Sequence, residues 1–253
     1  MTLTGKKGLV VGIANQDSIA YGCAKAFRAA GAELAVSYLN AKAEPHVRPL
    51  AEALDASLIV PFDARVPGAL EAMFDAVTHR WGRLDFLLHA IAFAPRADLH
   101  GRLVDSSAEG FAQAMDISCH TFVRMAKLAE PLMADGGTLL TVTYFGAEKV
   151  VPEYGVMGPV KAALEAATRY MAAELGEKAI RVNAISPGPI RTRAASGIRN
   201  FESLADQAAG RAPLKRLTTI DEVGSLAAYL VSDGAASITG NTCYIDAGYH
   251  ITG

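Results

Sequence analysis

Three cysteines are all that the 253-residue chain contains, and Cys23, Cys119 and Cys243 lie far apart along it. Their number is odd, and they form neither a CxxC pair nor a Cys/His group, so neither a disulfide framework nor a zinc site is indicated. Free cysteine commonly behaves as a small buried hydrophobic residue. We therefore expect all three to be reduced residues that pack in the core.

The chain also lacks a strong net charge and long apolar segments. It has 24 basic and 26 acidic residues, for a net charge of −2, which gives no broad electrostatic field for nucleic acid. No apolar run reaches the ~18 residues that suggest a membrane span. The start, MTLTGKKGLVVG, lacks the pattern of a signal peptide. We expect a cytoplasmic protein that binds small molecules, with no role for nucleic acid, membrane or metal.

Apolar runs alternate with alanine-rich helical stretches, and no linker divides them. The predicted strands are Gly8–Gly12, Glu33–Tyr38, Leu58–Phe62, Phe86–Ile91, Thr138–Thr143, Arg181–Ile185 and Cys243–Ile245. The predicted helices are Ile19–Ala30, Ala69–Trp81, Gly110–Met133, Val160–Leu175 and Ile220–Val231. This alternation predicts an α/β protein: one doubly wound, Rossmann-like domain over residues 1–253, with a seven-stranded parallel sheet flanked by helices. The last strand is assigned to an edge.

The most informative spacing is that of Tyr154 and Lys161. On one helix they would lie on the same face, about two turns and roughly 10 Å apart. A cation near a phenol favours the phenolate and eases proton donation to a developing oxyanion. Pro159 is tolerated only in a first turn, so the helix is expected to begin near Gly158, with Tyr154 just before it.

Tyr144 follows a predicted buried strand, so its hydroxyl is expected to emerge at the carboxyl edge of the sheet, where open α/β sheets bind ligands. Taken alone, each of these residues has an ordinary structural explanation. A tyrosine usually packs as an amphipathic side chain, and a lysine on a helix usually faces solvent. The other motifs of the chain favour the catalytic interpretation.

The first strand leads into a turn typical of a phosphate cradle. Gly12 permits a sharp turn, and Ser18 precedes a helix whose positive end would face a pyrophosphate. An ordinary turn with Ser18 as N-cap is the alternative. After the second strand, Leu39 stands near the position where NAD-selective folds often place an acid, and that acid is absent. Lys42 is near enough to meet a 2′-phosphate, but an ordinary solvated lysine is the favoured alternative. Asp63 is assigned either to an adenine amino group or to capping a turn.

Two further loops follow predicted strands. The run from His89 to Ala94 has small residues that suit a backbone passing beside a bulky ring, and His89 itself is expected to be a core residue rather than a base. In the rigid loop PGPIRT, the amide of Ile190 and the hydroxyl of Thr192 are candidates to bind a carboxamide.

Together these residues resemble the short-chain dehydrogenase/reductase superfamily over essentially the whole chain, and more narrowly its bacterial enoyl-acyl-carrier-protein reductase branch. GIANQDSIAYG replaces the usual glycine triplet, HAIAFAP replaces an NNAG-like segment, and Tyr154-x6-Lys161 replaces Tyr-x3-Lys, a spacing that Gly158 rules out. Thr141 stands where the superfamily has a catalytic serine, and Asp116 replaces the usual helix asparagine. Both departures argue against ordinary ketone reduction.

The resemblance implies reduction of a trans-2-enoyl thioester on acyl-carrier protein in fatty acid biosynthesis, with NADH preferred and NADPH left open. Tyr154 would donate to the enolate, Lys161 would hold the nicotinamide ribose, and Tyr144 would line the substrate side. The implied cofactor positions are Gly12, Ser18, Ile19, Leu39, Asp63, Ala64, Ile91, Lys161, Ile190 and Thr192, and the substrate positions are Ala92, Ala94, Met157, Ile198 and Phe201. The family also suggests a homotetramer.

The segment Arg193–Gln207 is interpreted as a mobile substrate lid with apolar contacts at Ile198, Phe201 and Leu204, although a surface helix would look similar. A basic rim for an acidic carrier protein is a related hypothesis. Its residues are Arg193, Arg199, Arg211, Lys215 and Arg216.

The chain departs from the commoner branch pattern at Leu39, Ala92 and Pro159. Ala92 adds a methyl group beside the expected acyl pocket, which favours a narrower substrate choice and a specialised paralogue. Two alternatives stay open: a carbonyl or 3-ketoacyl reductase of the wider superfamily, and a non-catalytic dinucleotide-binding paralogue.

Overall fold

Seven short, mostly apolar runs form the strands of one parallel sheet. The computed structural model describes residues 2–192, 195–197 and 200–252. The strands are β1 (Lys7–Val11), β2 (Glu33–Tyr38), β3 (Leu58–Pro61), β4 (Phe86–His89), β5 (Gly137–Val142), β6 (Ile180–Pro187) and β7 (Thr242–Ile245). Their order is β3-β2-β1-β4-β5-β6-β7, and every neighbouring pair is parallel. The predicted Rossmann-like sheet and the edge position of the last strand are confirmed.

Helices cover both faces of the sheet, which explains why the strands are continuous apolar runs. The helices are α1 (Ile19–Ala29), α2 (Glu44–Ala53), α3 (Ala69–Trp81), α4 (Arg96–Leu99), α5 (Ala108–Met115), α6 (Thr121–Ala129), α7 (Met157–Leu175), α8 (Phe201–Arg211) and α9 (Ile220–Val231). Residues of α3, α6 and α7 pack in one core with Leu9 and Leu139. Residues of α1, α2 and α9 pack in the other with Val10 and Leu140.

Helices α1 and α9 cross through a contact between two glycines. A Cβ atom on Gly22 would lie 2.3 Å from the carbonyl oxygen of Ile220. A Cβ atom on Gly224 would lie 2.3 Å from the carbonyl oxygen of Gly22. No side chain fits at such distances, so the two helix backbones approach this closely only because both residues are glycine.

Two helical predictions were incomplete. Helix α2 was missed because Pro45 lies in its first turn and Pro49 inside it, and proline normally disrupts a helix interior. Its apolar residues do recur at helical spacing, at Val47, Leu50, Ala51 and Leu54. The predicted helix Gly110–Met133 is interrupted by a π-helical turn at Asp116–His120 and ends in a 3₁₀ turn. Helix α7 begins at Met157, which confirms that Tyr154 precedes it.

The predicted lid coincides in part with α8, which begins at Phe201. Arg193, Ile198 and Arg199 lie outside the described residues. Cys23 and Cys119 are buried free thiols and Cys243 is a half-buried one, as expected. Within the described ranges, no helix is long and apolar enough to cross a membrane.

Candidate active site

A cavity of about 330 Å³ opens at the carboxyl ends of β5 and β6, beside the start of α7. This edge is where strand ends and loops converge in a doubly wound fold. The structure brings the predicted catalytic residues, most of the predicted substrate residues and several of the predicted cofactor residues to its wall. They are Ile19, Ala92, Ala94, Tyr144, Tyr154, Met157, Lys161, Ile190, Thr192 and Phe201.

The two tyrosines pack edge to face on this wall. The ring centroids of Tyr144 and Tyr154 are 5.1 Å apart with planes at 69°, and Gly146 has no side chain to displace the ring of Tyr154. The hydroxyl of Tyr144 is buried without a hydrogen-bond partner among the described residues. Burial raises the pKa of Tyr154, and Tyr144 and Glu165 add to that rise. The expected shift toward phenolate is therefore wrong for the protein alone, and Tyr154 is a protonated donor at neutral pH.

Lys161 is buried on the first turns of α7, with 5% of its surface exposed. Its Nζ donates a hydrogen bond of 2.7 Å to the carbonyl oxygen of Val142, at the end of β5. Burial lowers the pKa of Lys161 to about 8, while Cys119 and Glu165 act to raise it. The ammonium group thus lies against the floor of the cavity rather than pointing to solvent.

Glu165 is a functional candidate that the sequence reasoning missed. It lies one helical turn after Lys161 on the same face, is buried, and accepts a hydrogen bond of 2.7 Å from the hydroxyl of Thr143. Burial raises the pKa of its carboxyl group. Two successive turns of α7 are therefore hydrogen-bonded to the end of β5. Lys161 bonds to Val142, and Glu165 bonds to Thr143. A carboxyl residue four positions after Lys161 in an apolar helix face was the available signal.

A second cavity, of about 480 Å³, lies at the carboxyl ends of β1, β2 and β3 and shares Ala92 and Phe93 with the first. Gly12, Leu39, Asp63, Ala64 and Ile91 line it. The two cavities together form a long trough across the sheet edge, as an extended dinucleotide requires.

Gly12 is indispensable at the rim of the trough. Its φ is +123°, and a Cβ atom there would lie 2.2 Å from the carbonyl oxygen of Ala90. Glycine at this position therefore lets the end of β1 pass close to the end of β4.

Ser18 lies at the start of α1, but its side chain does not cap the helix. Its Oγ instead accepts hydrogen bonds from the amides of Ala14 and Asn15, at 2.9 and 3.0 Å. Ser18 therefore shapes the loop. The amides of Tyr21 and Gly22 donate to its carbonyl oxygen, so the donors left for a ligand at the start of α1 are the amides of Ile19 and Ala20. These amides, rather than the loop amides, suit the pyrophosphate of a dinucleotide.

Asp63 has the turn-capping role that was one of its two predicted alternatives. Its carboxylate accepts from the backbone amide of Arg65 at 3.0 Å and pairs with the Arg65 guanidinium at 2.9 and 2.7 Å. This contact lowers the pKa of Asp63. The guanidinium also lies 5.9 Å from the ring centroid of Phe93. Its contact with an adenine amino group stays a prediction.

Thr141 and His89 lie below the cavity, inside the sheet. The hydroxyl of Thr141 is within 2.9 Å of His89 Nδ1, and the hydroxyl of Thr121 is within 2.9 Å of Nε2. Burial lowers the pKa of His89 to about 3, and the charge of Lys161 adds to that shift. The prediction that His89 is a satisfied core histidine is confirmed, and Thr141 does not face the cavity in place of a catalytic serine.

Comparison with known proteins assigns this arrangement to a family. The model of the family described as Enoyl-(Acyl carrier protein) reductase matches residues 12–250. The chain belongs to the enoyl-acyl-carrier-protein reductase family. The chain is 47% identical to an enoyl-[acyl-carrier-protein] reductase [NADH] of Rhizobium meliloti over 99% of this chain and 92% of that protein.

Solved structures of the reductase family have the same fold. The reductase of Anaplasma phagocytophilum in complex with NAD is 49% identical, covering 100% of this chain and 97% of that one with a TM-score of 0.96. The Bacillus cereus reductase with NADP+ and indole naphthyridinone is 45% identical over 100% of both chains, with a TM-score of 0.97.

Two further expectations concern the basic rim and metal binding. Of the basic rim, Arg216 is paired with Glu222 at 2.6 Å, so it is not a free cation. In the described part of the chain, no group of histidine, cysteine and carboxylate residues could hold a metal ion.

The Glu165→Gln variant is expected to lose activity at a lower pH than the wild type. Glutamine keeps the shape of the side chain but removes a negative charge that acts to raise the pKa of Lys161. The ammonium then loses its proton at lower pH, and activity that depends on its positive charge falls earlier as pH rises. The measurement is kcat/KM across neutral and alkaline pH. Glu174→Gln, an exposed change on the same helix, is the control, and identical alkaline limbs in all three proteins would contradict the prediction.

Proposed function

We propose that this protein reduces the trans-2 double bond of enoyl thioesters carried by acyl-carrier protein in fatty acid biosynthesis, with NADH as the preferred cofactor. The observation that carries the proposal is the convergence of Tyr144, Tyr154 and Lys161 on one largely apolar cavity that joins a dinucleotide-sized trough. Relatives named as NADH-dependent enoyl reductases, and a related structure with NAD, support the same conclusion.

The bound nicotinamide would supply a hydride to the β-carbon of the enoyl group. Tyr154 holds its proton because burial raises its pKa, so its hydroxyl would donate to the thioester oxygen as negative charge develops there. Such a donor lowers the barrier because it acts on charge that is present only in the transition state. Lys161 would bind the cofactor ribose and provide positive potential, and Tyr144 would place a second hydroxyl on the substrate side.

The preference for NADH is supported by the relatives named as NADH-dependent reductases. At the adenosine end, Leu39 lines the trough where the ribose would lie, and this apolar side chain offers nothing to pair with a 2′-phosphate. Asn40 uses only its side-chain oxygen, which accepts from the backbone amides of Lys42 and Ala43 at 3.1 and 3.2 Å, so its amide nitrogen and the Lys42 side chain do not by themselves exclude NADPH. The buried hydroxyl of Thr141, which bonds to His89, in turn disfavours the 3-ketoacyl reductase alternative.

The test is to mix the protein with NADH, and separately with NADPH, plus a short trans-2-enoyl thioester, and to follow the loss of reduced-nicotinamide absorbance. We expect faster turnover with NADH than with NADPH. A 3-ketoacyl thioester is the matched control substrate. Reduction of the ketone alone would identify a carbonyl reductase, and cofactor binding without turnover of either thioester would identify a non-catalytic paralogue.

The family also supports a proposal for the oligomeric state and the location of the protein. We propose a cytoplasmic homotetramer, which light scattering on the purified protein tests through a mass of four chains.

We also propose that the segment around residues 193–207 acts as a substrate lid, because Phe201 and Leu204 of α8 line the cavity.

A further inference from the structure

The segment between β4 and α4, residues 90–95, forms the wall between the two cavities. Ala92 and Phe93 line both cavities. Ile91 lines only the second cavity, at the ends of β1, β2 and β3, and Ala94 lines only the first, which contains Tyr154. The segment has neither helix nor strand. Its path therefore depends on the contacts that neighbouring elements make with it.

Ser118 holds the centre of this segment. The amide of Phe93 donates to Ser118 Oγ at 2.9 Å, and the Ser118 hydroxyl donates to the carbonyl oxygen of Phe93 at 3.0 Å. Ser118 has 0% of its surface exposed. A serine hydroxyl carries one proton and two acceptor lone pairs, so this single side chain binds both backbone groups of one residue. The neighbouring Ala92 and Ala94 are thereby restrained as well.

Ser118 belongs to the π-helical turn Asp116–His120 that separates α5 from α6. The next residue, Thr121, bonds back to the carbonyl oxygen of Ile117 at 2.5 Å and lies within 2.9 Å of His89 Nε2. His89 is the last residue of β4, so the same part of the helix contacts the start of the segment and its centre. π-Helical turns occur frequently at functional sites. Here the turn supplies the contact with Phe93, and the first residue of α6 contacts the strand residue just before the wall.

We propose that Ser118 is a positioning residue that sets the shape of the acyl pocket by fixing the backbone of Phe93. This inference rests on the proposed function, because residues 92–94 face the substrate only if the cavity holds an acyl chain. Ser118 itself does not line either cavity, and its effect passes through the backbone of residues 92–94.

The test compares Ser118→Ala with Ser186→Ala. Ser186 is also a serine with 0% of its surface exposed, but its hydroxyl has no partner among the described residues. Both variants remove one buried hydroxyl, and only the first removes hydrogen bonds. Hydrogen exchange of the full-length protein is measured first, because it does not depend on turnover. We expect the Phe93 amide to exchange at least about tenfold faster in Ser118→Ala, since it loses its acceptor, and at the wild-type rate in Ser186→Ala.

Kinetics supply the second readout. In Ser118→Ala we expect KM for an enoyl thioester to rise by about threefold, because a wall that is no longer fixed has to be ordered again when the substrate binds. We also expect the ratio of kcat/KM between a short and a long enoyl thioester to change by about threefold or more, because pocket shape sets discrimination. A purely structural role would lower Tm and leave that ratio unchanged.

Three results would overturn the proposal: wild-type exchange at Phe93, an unchanged chain-length ratio, or equal effects in Ser186→Ala. Its failure is distinguishable from failure of the proposed function. If no enoyl thioester is reduced, the proposed function fails, and the exchange rate of the Phe93 amide still decides whether Ser118 fixes the wall.

Discussion

Tyr154→Phe lowers kcat for enoyl reduction by about 10²–10³-fold, the loss expected when a donor to a developing oxyanion is removed. The phenylalanine ring preserves the edge-to-face contact with Tyr144, whose centroid lies 5.1 Å away, so the wall of the cavity keeps its shape. Only the hydroxyl is lost, and with it the proton that burial keeps on Tyr154. Steady-state turnover with saturating NADH and enoyl thioester measures the effect.

The matched control for this variant is Tyr170→Phe. Tyr170 lies on α7 with 73% of its surface exposed, so the same chemical change there leaves kcat unaltered. NADH binding by fluorescence titration separates a catalytic loss from a cofactor loss. A Tyr154→Phe protein that retains wild-type kcat would exclude this hydroxyl from the reaction and move the role of donor to Tyr144.

Gly22→Ala destabilises the protein by about 1–3 kcal/mol, the usual cost of forcing an extra methyl group into a packed interior. The new Cβ atom would lie 2.3 Å from the carbonyl oxygen of Ile220, so α1 and α9 have to separate. A bound cofactor would raise the apparent stability of the folded protein, so Tm is measured without NADH. We expect Tm to fall by several degrees.

Gly176→Ala is the control for that change. Gly176 has φ −60° and ψ −36°, and nothing lies within 4 Å of a Cβ atom placed on it. Alanine there is compatible with the backbone and reduces the freedom of the unfolded chain, which stabilises by about 0.4–1 kcal/mol. Equal Tm values for the two variants would show that the crossing of α1 and α9 tolerates a methyl group.

The elements that the sequence predicted to the residue have strong local signals at their ends. Helix α9 begins after the capping box of Thr219 and Glu222, and α3 lies between Gly68 and Gly82, both at positive φ. Helix α2 has no comparable signal, because its two prolines and few buried residues hide it. The π-helical turn at Asp116–His120 was unpredictable for another reason: the residues that it contacts lie on β4 and in the segment after it.

The candidate site likewise contains residues that the sequence could predict and contacts that it could not. Tyr144, Tyr154 and Lys161 were predictable because their spacing lies within one segment of the chain, and the structure brings all three to one cavity. The pairing of Asp63 with Arg65 and the bonds of Ser18 to the loop amides depend on side-chain rotamers, which spacing does not determine. The burial of Glu165 required knowledge of where α7 packs.

The glycine crossing of α1 and α9 also bears on how the chain acquires its fold. Helix α1 flanks the cofactor trough near the start of the sequence, yet the helix that it packs against most closely lies close to the end. Contacts between such distant segments require a large loop to close first, and proteins dominated by them fold slowly. During synthesis, the face of α1 that packs on α9 therefore stays uncovered until residues 220–231 have been made. A chain truncated before residue 220 would leave that face of α1 exposed.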